Sequence, residues 1–200
     1  METKELKNLG AEEYGVVLDY LQHLDCSQYK NSIISTVFRL VLLYGFKICI
    51  ISEMKCGDFD PDRRIIRAFV NNEQIFLDVP FELSQQLANI RGQRKNDDYL
   101  FQDENGEKID RSYFNGALDE VNRLLCSDAK LTFITMSRYA AINMLMVGMN
   151  PLTVGDLTGV KSVSLKCCQR IVSERLGQNT NRYLNAKMRN IQAYIDFSKE

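Results

Sequence analysis

A mainly helical domain carrying one small β-hairpin is the fold class this sequence predicts, and three observations lead there. Apolar residues recur at helical spacing through most of the 200 residues. That spacing gives way, between Arg64 and Val79, to two short runs of β-branched and aromatic residues. The resulting order of helix, helix, hairpin and then helices to the end lacks the regular strand-helix alternation of a doubly wound nucleotide-binding fold. A hydrophobic content of 45% over this length can build one core without disulfides or metal. No linker rich in Pro, Gly or Ser, no repeat and no low-complexity tract divides the chain, so a single domain over 1–200 is expected.

Each element has a local reason. Residues Ala11 to Leu24 place apolar side chains at helical spacing, and the apolar-rich stretch Asn31 to Met54 supplies the second helix. Strands are expected over Arg64 to Val70 and Gln74 to Val79, turned at Asn71, Asn72 and Glu73 and closed by Pro80. Helices then follow over Phe81 to Ile90, Ser112 to Leu125, Met136 to Val147, Pro151 to Leu157, Ser162 to Leu176 and Asn181 to Phe197. Asn150 before Pro151 is a polar cap on a preset first turn, and Ser162 can cap the next helix. Gly148 and Gly177 stand where the preceding helices should stop.

Composition removes several function classes. No window of eighteen uncharged apolar residues and no signal-peptide core is present, so the chain reads as soluble, cytoplasmic and free of membrane contact. The six cysteines (Cys26, Cys49, Cys56, Cys126, Cys167 and Cys168) form no CxxC pair, and His23 is the single histidine, so neither a zinc site nor a histidine relay is expected. Phosphate-cradling and dinucleotide glycine motifs are also missing, and no cofactor is expected. The net charge of −1 hides an asymmetry: from Val160 to Glu200, eight basic residues against three acidic give +5, leaving −6 for the rest. A basic end on a neutral protein points to a phosphate-bearing partner or to a solvated helix face.

An ordered set of segments is more specific. VLLYGFKICIISEMKCGDFD (Val41 to Asp60), IFLDVPFEL, DDYLFQDENGEKIDRSYFNGALDEV and LTFITMSRYAAINMLMVGMNPLTVGDLTGVKSVS (Leu131 to Ser164) follow one another as the corresponding segments of the tyrosine recombinase, or phage integrase, family do. The resemblance runs from about Leu9 to Gln169 and implies that family's catalytic-domain fold. In the family, arginines, a hairpin lysine and histidine-type groups clamp and protonate a scissile phosphate while a tyrosine attacks it.

Carried over residue by residue, the resemblance implies a degenerate site. Lys47 stands at the first arginine, where a point charge replaces a bidentate fork. The hairpin turn offers no lysine. Thr135 takes the histidine position of HxxR while Arg138 keeps its arginine, and Val160 replaces the second histidine. Gln169, or its neighbour Cys168, falls at the nucleophile; a longer insertion would instead bring Tyr183, in NTNRYLN, to that place. The expected phosphate contacts are Arg138, Lys47, Lys161, Lys166 and Arg170. For Arg138 a structural pairing with a buried carboxylate is the alternative.

The C-terminal helix, over 180–197, aligns Leu184, Met188, Ile191 and Ile195 in a narrow apolar stripe. It either packs at home or, as the resemblance implies, docks on a neighbouring subunit to give a homo-oligomer. The family's separate N-terminal clamp domain has no counterpart here, so the chain is a relative without it or a piece of a longer protein. Three functions stay open: a non-cutting duplex-DNA-binding protein acting as a phage or mobile-element repressor or accessory factor; a divergent active recombinase using Tyr183 or a cysteine; and a protein-interaction scaffold.

Overall fold

The computed structural model describes residues 8–70, 73–126 and 128–191. Helix α1 (Ala11–His23) begins after Gly10, whose amide donates to the Glu13 carboxylate at 2.8 Å. Helix α2 (Tyr29–Tyr44) is the central element: Ile33, Val37, Phe38, Leu40 and Val41 on it are fully buried. It packs against α4 (Phe81–Arg91) and α6 (Phe133–Met146), and α6 in turn packs on α7 (Pro151–Thr158) and α8 (Ser162–Arg175). Phe38, Phe114 and Phe133 meet at centroid separations of 5.3 to 6.1 Å, the geometry that aromatic rings favour in a core. Among the described residues no helix is long and apolar enough to cross a membrane.

Several boundaries differ from expectation, each for a local reason. The stretch Asn31 to Met54 is not one helix. Gly45 adopts φ +70° and ends α2, after which Lys47 starts the short α3 (Ile48–Glu53). Gly45 is required twice over, because an added Cβ there would also strike the Thr158 side chain. The hairpin gains a third strand: β1 (Phe59–Asp60) pairs antiparallel with β2 (Ile65–Val70), which pairs with β3 (Glu73–Asp78). Two residues are too few to show alternation in sequence. Glu73, expected in the turn, opens β3 opposite Val70, while Asn71 and Asn72 lie outside the described residues.

The expected helix from Ser112 to Leu125 divides into a 3-10 turn over Arg111–Phe114, capped by Asp110, and α5 (Asn115–Leu124). Helix α6 starts three residues early because Thr132 and Thr135 form a reciprocal cap. Asn150 caps α7 as expected, accepting from the Leu152 amide at 2.8 Å. Ser162 does not cap α8. It is the first helical residue, Lys161 holds the cap position, and no side chain caps that end. Gly148 and Gly177, at φ +89° and +61°, mark helix ends as expected. Helix α9 spans Asn181–Met188, and the rest of the expected stretch from 192 to Phe197 lies outside the described residues. Ile195 and Phe197 lie outside the described residues.

Candidate functional site

One cavity of about 390 Å³ brings together four of the residues singled out in the sequence, Lys47, Arg138, Val160 and Lys161. Lys47 and Ile48 reach it from the start of α3, Phe133, Ile134, Ser137 and Arg138 from α6, Thr158 to Val160 from the end of α7, and Lys161 and Ser164 from the start of α8. Arg111, at the head of the 3-10 turn, completes the wall. Four cations therefore face one cavity, and no acidic residue lines it.

The local folding of these residues is tightly specified. Gly45 allows the end of α2 to come against Thr158, which carries Lys47 over Gly159 at the end of α7. A Cβ on Gly159, itself at φ +62°, would coincide with the Lys47 Cε and crowd its Nζ. The glycine is thus the floor on which the lysine lies. The first turn of α8 borders the same cavity. Its amides have no capping side chain and so add the positive end of a helix dipole, whereas α6 has an internal cap that takes up its Thr135 amide.

Arginines elsewhere in this fold show what a structural guanidinium does. Arg94 donates to the carbonyls of Arg91 at 3.1 Å, Tyr99 at 2.9 Å and Leu100 at 3.0 Å, and also to that of Ile90. Arg67 holds Asp58 at 2.7 Å. Arg138 does neither: its Nε is buried with no hydrogen-bond partner, and among the described residues no carboxylate pairs with it. The structural alternative for Arg138 therefore finds no carboxylate there, and the side chain remains available to an anion.

The remaining expected residues sort by position. Val160 lies on the wall. Thr135 does not; its hydroxyl donates to the carbonyls of Lys130 and Thr132 and belongs to the cap. Gln169, half-buried on α8, is also absent from the wall. Lys166 and Arg170 are exposed on α8 away from the cavity, and Arg170 approaches Glu174 at 3.7 Å. Cys168 is fully buried, and burial pushes its thiol up to about 11 although the nearby Arg138 charge works the other way. It is therefore a protonated, shielded thiol near neutral pH. Tyr183 sits on α9 beside Lys187, outside the cavity. Arg111 was not foreseen. The Asp110-Arg111-Ser112 sequence marks a helix start, but nothing in it shows what that start faces.

The order and packing of these elements define the fold. The chain has the catalytic-domain fold of the tyrosine recombinases. Among solved structures it is similar to XerA recombinase, at 17% identity over 90% of this chain and 68% of that one, with a TM-score of 0.65. It is similar to XerH site-specific recombinase bound to palindromic difH substrate, at 15% identity over 88% of this chain and 52% of that one, with a TM-score of 0.68. It also resembles the Tn1549 transposon integrase in complex with a circular intermediate DNA, at 15% identity over 95% of this chain and 67% of that one, with a TM-score of 0.62. The chain thus spans about half to two thirds of these proteins. No family model and no curated protein sequence matches it.

Proposed function

We propose that this chain binds duplex DNA by seating a backbone phosphate in the cationic cavity, without cutting the strand, as a phage or mobile-element regulator or accessory factor. The observation that carries the reading is the convergence of Lys47, Arg111, Arg138 and Lys161 on a cavity without acidic lining, with the Arg138 Nε buried and unused. That the XerH and Tn1549 proteins were solved on DNA supports it. The chemistry around the cavity supports binding without cleavage: Thr135 is committed to a cap, Val160 offers only carbon, and the Cys168 thiol is protonated.

Fluorescence anisotropy with a mixed-sequence duplex tests the reading. Binding should weaken steeply as salt rises, because the cations displace counterions from phosphates. Replacing Lys47 and Arg138 together by alanine should weaken it at least tenfold, as charge-assisted hydrogen bonds are each worth about 1.5–3 kcal/mol. Salt-insensitive binding, or no binding, would sink the proposal. A covalent adduct on a nicked duplex, lost in Tyr183→Phe, would instead establish a divergent recombinase. In the same reading α9 is an assembly element: it buries no residue, and Leu184, Met188 and Ile191 are 46 to 52% exposed along it and just past its end.

A further inference from the structure

The cavity is much larger than one phosphate. At about 30 Å³ per water it has room for roughly a dozen waters, whereas a phosphate group has five heavy atoms. Away from the cations most of its wall is carbon, contributed by Ile48, Phe133, Ile134 and Val160. Phe133 is fixed in the core by Phe38 and Phe114, so this part of the wall is rigid. A volume of 390 Å³ falls at the lower end of the roughly 300–1,000 Å³ range of small-molecule pockets. A cationic pole beside an apolar wall fits a ligand with one phosphate joined to a ring whose faces are apolar.

We propose that the cavity is an effector pocket for a nucleoside monophosphate, whose phosphate meets Arg138, Lys47 and the uncapped start of α8 while its base lies against Phe133, Ile48 and Val160. The proposal rests on the anion-binding reading of the cavity given above, and it adds regulation: the nucleotide and the DNA phosphate compete for the same cations. Competition follows from the shared groups, since Lys47 and Arg138 cannot both hold the nucleotide's phosphate and a DNA phosphate.

Calorimetric titration of the full chain with AMP, GMP, CMP and UMP, each separately, and with orthophosphate and adenosine, tests it. At least one monophosphate should bind ten or more times more tightly than orthophosphate and than adenosine, and should displace labelled duplex DNA. Val160→Phe and, independently, Ser164→Phe should remove that advantage by filling the space for the base, with thermal melts verifying that each variant folds. If all four monophosphates match orthophosphate, or if the advantage survives in both folded variants, the proposal is wrong. The duplex titration in the same buffer keeps the two readings apart. DNA binding without a monophosphate advantage overturns the effector pocket alone, and a monophosphate advantage without DNA binding keeps the pocket but overturns the DNA reading and the competition with it.

Discussion

Arg94 and Arg138 are both partly sheltered guanidinium groups in contact with the core, yet they should respond oppositely to removal. Arg94 ties four backbone carbonyls between α4 and the following loop. Its replacement by alanine leaves those acceptors unpaired and should cost about 2–4 kcal/mol in urea unfolding. Arg138→Ala removes a cation that no carboxylate pairs with among the described residues and should leave stability within about 0.5 kcal/mol of wild type while DNA binding falls. A large stability loss for Arg138→Ala would mean that it is structural after all. The thiols divide in the same way. Cys168 should escape iodoacetamide at pH 8 under conditions that alkylate the exposed Cys26, Cys49 and Cys126, a difference that peptide mass spectrometry resolves. Lys47, Arg138, Lys161 and Val160 were legible in sequence because an ordered motif brackets them. Arg111 was not, because its place depends on how a loop returns to the core, and the outward direction of Lys166 and Arg170 depends on the rotation of α8.

Helices were read well where apolar spacing is long and a cap or glycine marks the end, as in α1, α4, α7 and α8. They were misread where the evidence is a single backbone angle. Nothing in the composition of Asn31 to Met54 distinguishes a helix that continues through Gly45 from one that ends there; the close approach of Thr158 decides it. Gly45→Ala should therefore destabilise the fold by about 1–3 kcal/mol through its left-handed backbone and its collision with Thr158, measurable by urea titration. Gly159→Ala should act on binding as well, since it pushes Lys47 off its seat and should weaken the DNA complex severalfold. At the other end, Leu184→Glu with Met188→Glu should abolish concentration-dependent association in sedimentation experiments. If wild type is a monomer at every concentration tested, α9 is not an assembly element.

For the molecule as a whole, the buried hydroxyls and thiol make alkaline pH the weak side. Burial pushes Tyr20, Tyr44 and Tyr113 from the usual 10.0 up to about 12 and Cys168 from 9.0 up to about 11. Hydrogen bonding of the Tyr20 hydroxyl to Glu120 adds to its shift. In this range the folded chain holds protons that the unfolded chain has released, so stability falls as pH rises. The contribution is fully present below about pH 9 and is lost progressively through 11 and 12. The urea midpoint should hold steady from pH 7 to 9 and drop between 9 and 11.5, and Cys168→Ala should blunt the early part of the drop.

The open end of α8 has a further consequence. A side chain can be exchanged by one codon, but the amides of a helix start keep their direction whatever residues carry them, and here no side chain covers them. Under the proposed reading, the part of the phosphate attraction that comes from this helix start belongs to the backbone and outlasts any single side-chain substitution that leaves the helix folded.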